Sequence, residues 1–208
     1  MNEILDIYDE DLKWLGTKDR AAVHRDGDWH KVSHCWIAYR GPDGRDYLVV
    51  QRRGPNTQTF PNLLDITAAG HYQAGESVRD GVREVHEELG IDVDFDKLIP
   101  LGVHISVGRY NGLIDRQFAD VFLYIYNQDI ADYQYQVEEV AGLVALPVDE
   151  GLALFAGECK TVTARAVGVQ NGDVAISLDD FIYTPDSYTY KMLILVKRAL
   201  SGEKHLRI

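Results

Sequence analysis

Arg83-Glu84-Val85-His86-Glu87-Glu88-Leu89-Gly90-Ile91 sets three carboxylates at relative spacings of three and four. At about 3.6 residues per turn, Glu84, Glu87 and Glu88 then fall on one helical face, close enough to share a divalent cation. Val78, Val82, Val85 and Leu89 follow one another at four, three and four residues, which leaves a separate apolar stripe for burial while the carboxylates face a cleft. A helix with several glutamates is ordinarily a solvated surface, and that plain alternative is weighed against the punctuation around this one. Gly70 follows an apolar run, Gly75-Glu76-Ser77 offers a turn and a cap, and Gly90 stands where a left-handed residue closes a helix. Strand, glycine loop and capped acidic helix together read as a site.

From Gly70 to Ile91 the chain resembles the signature of the Nudix hydrolases: glycine, five residues, glutamate, seven residues, then Arg-Glu-apolar-x-Glu-Glu-x-Gly-apolar. Arg83, Glu84, Val85, Glu87, Glu88, Gly90 and Ile91 match every specified position of the second half. The first half is shorter, with six residues, Ser77 to Val82, between Glu76 and Arg83, and the role of Glu76 stays open.

The resemblance implies an α/β/α sandwich around a mixed β-sheet, with the acidic helix beside the site. It also implies hydrolysis of a diphosphate linked to an organic group, such as a nucleoside diphosphate derivative, with Mg²⁺ or Mn²⁺ as cofactor. Glu84 and Glu88 are then metal ligands, and Glu87 is either a third ligand or the group that orients or deprotonates the attacking water. Arg83 holds a glutamate by a charge-assisted hydrogen bond, and Gly70 offers its carbonyl to the metal. The plain alternative for Arg83 is a surface ion pair with Asp80 or Glu87. Family members differ in where the base sits, so Asp115, Asp120, Glu138 and Glu139 remain candidates. The chemistry suits carboxylates: a hard cation on oxygen ligands screens phosphoryl charge and acidifies a bound water.

The N-terminal half is also similar to type I isopentenyl-diphosphate isomerases, through His24, His30 with Trp36 six residues later, Gln51-Arg52-Arg53 and Ala69-Gly70-His71. Those isomerases use a histidine-rich metal site, a cysteine just before the Gly-His pair and a later glutamate. Ala69 stands at the cysteine position and Gln117 is the best match to the glutamate, and neither side chain transfers a proton. The chain therefore reads as a hydrolase, with an isomerase and a non-catalytic Nudix binding module as the competing classes. His24, His30, His34 and His71 are a candidate relic metal site, against ordinary structural histidines. Arg52, Arg53 and His71 are candidate substrate contacts, the two arginines set against an exposed strand end.

The remaining composition is consistent with this. With 208 residues, 46% apolar and 26% charged, the chain is long enough for one domain with a sizeable core. A formal charge of −12 argues against a nucleic-acid polymer as partner and fits a small-molecule diphosphate screened by metal. The acidic start Met-Asn-Glu-Ile-Leu-Asp and the lack of a long apolar run lead us to expect a cytoplasmic enzyme without membrane association. Cys35 and Cys159 read as free thiols.

Residues 1–155 read as the Nudix domain with an N-terminal extension, and residues 156–208 as a C-terminal hairpin-helix extension that shapes the pocket or a homodimer contact. Turn signals flank several strand candidates. His34–Tyr39 and Tyr47–Gln51 lie around Gly41-Pro42-Asp43-Gly44, and Asp65–Ala69 delivers Gly70. Further on come Leu98–Val107, Phe118–Tyr126, Val140–Ala145, and Thr161–Val169 with Asp173–Leu178 around Asn171-Gly172. Asp149–Phe155 and Tyr188–Leu200 are helix candidates, the second capped by Ser187 and packed through Tyr190, Leu193, Ile194 and Leu200. Tyr183, Tyr188 and Tyr190 are assigned to core and interface, not to base stacking. Before residue 30 only the turn Arg25-Asp26-Gly27-Asp28 stands out.

Overall fold

A computed structural model describes residues 3–208, so Met1 and Asn2 of the acidic start lie outside the described residues. The chain opens with an antiparallel pair, β1 (Ile4–Tyr8) and β2 (Trp14–Asp19), and a short helix α1 (Arg20–Asp26) capped by the Asp19 carboxylate. The long strand β3 (Trp29–Arg40) and β4 (Asp46–Arg53) form the expected hairpin, and β5 (Leu64–Asp65) and β6 (Ala68–His71) lead to the acidic helix α2 (Val82–Leu89). Next come β7 (Ile99–Tyr110), β8 (Leu113–Ile125), β9 (Val140–Pro147), α3 (Val148–Phe155), the hairpin β10 (Val162–Gly168) and β11 (Gly172–Ile176), and α4 (Tyr188–Leu200).

All these strands share one sheet, with the path β11-β10-β9-β4-β3-β1-β2, while β5 pairs β4, β6 and β8 pair β3, and β7 pairs β8. Strands β3 and β8 run parallel and the other pairs antiparallel, so the sheet is mixed as expected. The alternation of side chains along β3 divides the core. Val32, Trp36 and Ala38 pack with Leu154 of α3 and Leu193 and Val196 of α4. Cys35, Ile37 and Tyr39 face the other way and pack with Val85 and Leu89 of α2. Helices therefore cover both faces, giving an α/β/α sandwich of α+β composition.

The site exists because β3 and β4 separate. They pair from Arg40↔Asp46 to Ile37↔Val49; beyond that point Val32–Cys35 pairs β6 and Gln51–Arg52 pairs β5. Thr67, fully buried between β5 and β6, sits at the fork: its hydroxyl accepts from Ile37 N at 3.0 Å and donates to Val49 O. One hydroxyl thus satisfies both backbone groups that the separating strands leave unpaired.

Several sequence expectations are corrected. The stretch before residue 30 holds two strands and a helix; β2 buries none of its residues, so no alternation of apolar and polar positions reveals it. The expected strand Asp65–Ala69 is two short strands broken at Ile66-Thr67 by the fork. Ser187 is not a side-chain cap: its φ is 58°, and Thr184 Oγ1 accepts from Tyr188 N at 3.1 Å instead. Helix α4 buries Met192, Leu193, Leu195 and Val196, and Ile194 is 38% exposed. Cys35 and Cys159 are free thiols, as expected.

Replacing Thr67 by valine keeps the shape and removes the hydroxyl, leaving Ile37 N and Val49 O buried and unpaired. We expect a loss of about 2–4 kcal/mol in urea unfolding, with Thr67→Ser recovering most of it.

Candidate functional site

Helix α2 carries its carboxylates to the strand edge of β6. Ser77 and Asp80 close a 3-10 turn (Val78–Gly81) ahead of it, the Asp80 carboxylate accepting from the backbone and hydroxyl of Ser77 at 2.7 Å. Gly90, at φ 67°, ends the helix with its N–H on His86 O at 2.8 Å. Val85 and Leu89 anchor the opposite face in the core. Gly70 lies directly beneath Glu84, and a Cβ there would overlap the Glu84 carboxyl carbon. Only glycine lets this carboxylate rest on the strand.

Glu84 and Glu88 are both withdrawn from water. Burial pushes the Glu84 carboxyl up to about 7, with Arg83 opposing. Glu88, 7% exposed, is pushed well above the carboxylate range by burial and then by Glu84. Its Oε2 accepts from Gln51 Nε2 at 3.2 Å and Ala69 N at 3.3 Å, and no cation pairs it among the described residues. Glu84 has one guanidinium that it shares with Glu76 and Glu87, and Glu88 has none among the described residues, so the buried pair is poorly compensated, and its oxygen donors suit a hard divalent ion. The residues present therefore fit Mg²⁺ or Mn²⁺.

Arg83 organises this group. Its Nε and Nη2 hold Glu76 at 2.8 and 3.1 Å, Nη2 also donates to His71 O at 2.7 Å, and Nη1 meets Glu84 at 2.6 Å and Glu87 at 3.3 Å. The Glu87 side chain is 54% exposed and free to reach solvent. Glu76, left open by the shortened motif, also accepts from Gln73 N at 2.7 Å and so clamps the loop to Arg83. Asp80 is bonded to Ser77, so the alternative ion pair of Arg83 with Asp80 is not formed.

The other candidates separate. Arg53 is bound to Thr59 O at 3.0 Å and to Asp65 at 2.8 Å, whereas Arg52 donates to Asn62 O at 2.8 Å and lies 3.9 Å from Asp180. Glu138 and Glu139 are exposed, and the charges of Glu139 and Asp65 help raise Glu88. Asp120 pairs with Lys31 at 2.9 Å.

Asp115 belongs to a second group. His24 of α1, His30 of β3 and His71 of β6 place ligand atoms within 4.8 Å of one another. His24 Nδ1 bonds Arg20 O at 2.8 Å and His30 Nδ1 bonds Asp28 O at 3.2 Å, which turns both Nε2 atoms, as acceptors, toward the centre. Asp115 Oδ1 lies 3.4 Å from His30 Nε2 and 3.7 Å from His24 Nε2. His30 Nε2 and Asp115 Oδ1 are buried without hydrogen-bond partners. Gln117 Nε2 donates to the other Asp115 oxygen at 2.9 Å. Three imidazoles, with His30 and His71 kept neutral by burial, and one carboxylate form a donor set for a borderline transition ion. His34, grouped with these in the sequence, bonds Tyr188 instead.

Comparison with known proteins shows the family and the fold. The family model of the NUDIX domain matches residues 30–159. The chain belongs to the Nudix hydrolase family. An uncharacterized Nudix hydrolase of Clostridium acetobutylicum is 37% identical over 207 residues, 97% of this chain and 98% of that protein. An isopentenyl-diphosphate Delta-isomerase of Salmonella arizonae is 28% identical, covering 68% of this chain and 81% of its own length. Among solved structures, Deinococcus radiodurans DR0079 shares the fold with a TM-score of 0.57 at 20% identity, covering 94% of this chain and 98% of that one. Nudix enzymes generally use divalent metal ions, and among the described residues no helix is long and apolar enough to cross a membrane.

Sequence reading missed Gln51 as the partner of Glu88, Asp65 as its charged neighbour and Thr67 as the fork. Only Gln51 had a signal, its place beside two arginines at a strand end.

A carboxyl whose proton affinity rises on folding contributes stability at low pH and loses it as pH climbs toward the folded value. The metal-free hydrolase therefore loses stability through Glu84 between the ordinary value of 4.5 and about 7. Chelator-treated Glu84→Gln should be more stable than the parent at pH 8 by about 2 kcal/mol, and nearly equal to it at pH 4, in urea unfolding.

Proposed function

We propose that the chain is a Mg²⁺- or Mn²⁺-dependent hydrolase of the diphosphate linkage in a nucleoside diphosphate derivative or similar organic diphosphate. The observation that carries this is the pair Glu84 and Glu88, buried beside Gly70 with too little positive charge of their own. In this reading Glu84, Glu88 and the Gly70 carbonyl hold the ion, which when bound screens phosphoryl oxygens and acidifies water. Glu87, exposed enough to reach solvent, takes the water's proton or serves as a third ligand. The new O–P bond forms as the bridging P–O bond breaks, and the leaving group departs as a phosphate. Arg83 keeps the carboxylates aligned. Arg52 is the substrate contact, while His71 belongs to the histidine group and Arg53, committed to Thr59 and Asp65, acts by positioning Asp65. Glu139 is the alternative base, on the charge it exerts at Glu88. Residues 1–155 form the hydrolase unit, residues 156–208 a wall on the same sheet, and the setting is the cytoplasm.

An isomerase reading is disfavoured by two observations. Ala69 has no transferable proton, and the Gln117 amide is spent on Asp115. The histidine group is read as a second ion site, on the convergence of its unpartnered atoms.

A panel of nucleotide sugars, dinucleotides and nucleoside diphosphates with Mg²⁺ or Mn²⁺ tests the main reading. Glu88→Gln should lower turnover of the best substrate at least about 100-fold, the loss of several kcal/mol of electrostatic stabilisation, with unfolding still cooperative. Absence of any cleavage across the panel, or hydrogen exchange into isopentenyl diphosphate, would sink it. Elemental analysis after dialysis against Mn²⁺ or Zn²⁺ should find one ion fewer in His30→Ala than in the parent.

A further inference from the structure

On β3 the even-numbered side chains share one face, and two of them, His34 and Trp36, meet the same oxygen of α4. Trp36 Nε1 donates to Tyr188 Oη at 3.1 Å, and His34 Nδ1 lies 3.1 Å from that Oη. All three side chains are buried, so their hydrogen bonds can be counted. An indole N–H only donates, which makes Tyr188 Oη an acceptor toward Trp36. The phenol proton must then go to a buried acceptor, and His34 Nδ1 is the one within reach. His34 is thereby held as the neutral tautomer with its proton on Nε2.

That Nε2–H has no hydrogen-bond partner among the described residues, and His34 keeps 6% of its surface exposed. Register puts the His34 side chain on the same face of the sheet as those of Ala69 and His71. His34 pairs with Ala69 across β3 and β6, and the N–H of Ala69 is the group that binds Glu88. His34 and the metal-facing carboxylate therefore adjoin the same residue of the strand edge. Residues from the C-terminal wall enclose this face. Asp180 lies 3.9 Å from Arg52, Ile182 N donates to Leu64 O at 3.1 Å, and Tyr188 stacks on His104 of β7 with ring centres 4.0 Å apart and an interplanar angle of 2°. Burial and the neighbouring His104 bring His34 down to about 3, so it stays uncharged at physiological pH.

We propose that His34 is a substrate-binding hydrogen-bond donor, its Nε2–H directed at a diphosphate oxygen, and that Tyr188 is a positioning residue acting through it by fixing the tautomer. The inference deepens the diphosphate-hydrolase reading and rests on it. It gives the C-terminal wall a specific role, since α4 supplies the hydroxyl that orients a donor on the central strand. A donor that never carries charge can hold an oxygen of substrate and release phosphate without an added ionic attraction.

The probe is methylenediphosphonate with Mg²⁺, a diphosphate that is not hydrolysed, titrated into ¹⁵N-histidine-labelled protein. In the parent, the imidazole correlations of His34 should show the proton on Nε2, and that signal should move on titration. Tyr188→Phe should abolish the tautomer preference and weaken binding about fivefold, the effect of one hydrogen bond. Tyr183→Phe, at an 84% exposed position, should do neither. His34→Gln, which offers an amide N–H near the Nε2 position, should bind within about twofold of the parent, and His34→Asn, which cannot reach it, should lose about fivefold. Equal losses in both His34 variants, or a His34 signal unmoved while signals of the Glu84–Glu88 segment shift, overturn the inference and leave the hydrolase reading standing. If neither region responds to the probe, both fall.

Discussion

The structure turns on one guanidinium. Arg83 lies between helix α2 and strand β6, and through it the helix that carries the carboxylates is attached to the strand that carries Gly70 and His71. The attachment is charge-assisted at Glu76, Glu84 and Glu87 and directional at the His71 carbonyl, so it specifies distance as well as attraction. A lysine would supply the charge without the planar fork that addresses several acceptors at once. The shortened lead-in is consistent with this arrangement. Its six residues are spent on the Ser77–Asp80 cap, a 3-10 turn and the start of α2, and Glu76 arrives beside Arg83. Glu76 is held by the clamp and by Gln73 N, and of the α2 carboxylates only Glu88 has no cationic partner among the described residues.

Charge is distributed unevenly around the short segment Ala69-Gly70-His71. At Ala69 and Gly70 the surroundings are carboxylates, driven toward protonation by burial in the absence of an ion. At His71 they are imidazoles, with the Nδ1 atoms tied to backbone carbonyls on two of the three rings. The two environments favour different ions, hard on one side and borderline on the other, and the Arg83 bond to His71 O joins them. The overall charge of −12 is compatible with the proposed anionic substrate, because the relevant field would be that of the cleft with a cation on its carboxylates.

What the sequence made legible follows from range. Glu84, Glu87 and Glu88 are related by helical periodicity, and Gly70 by its place at a strand end, so the centre of the site could be read locally. The histidine group is half local: His30 and His71 stood in recognisable places, but nothing in the spacing of Asp115 marks it as the partner of His30 and His24, since β8 brings it there by parallel pairing with β3. Strand β2 escaped because Trp14 and Leu15 remain exposed, which breaks the alternation that reveals strands. Thr67 escaped because its importance lies in two backbone groups, Ile37 N and Val49 O, that only the fork leaves bare. Tyr188 was assigned to the core, correctly as to burial. Its hydroxyl meets residues about 150 positions away, a relation that no window along the chain contains.

The likeness to the isomerases is explained by the same geometry. Histidine positions on α1, β3 and β6 and the Gly-His pair on β6 are scaffold, set by the fork at Thr67 and the register Val32↔His71. A proton shuttle across a prenyl double bond requires a proton donor and a proton acceptor, and a scaffold does not provide them by itself. Ala69 offers a methyl group at one of those places. Gln117 offers an amide at the other, and that amide orients Asp115. The proposed metal-assisted attack on phosphorus has a different requirement, buried carboxylates with less positive charge than their own, which describes Glu84 with its shared Arg83 and Glu88 with no cationic partner among the described residues. One fold can therefore keep histidine positions like those of an isomerase while, in the proposed reading, its chemistry is decided on the other side of Gly70, at Glu84 and Glu88 of α2.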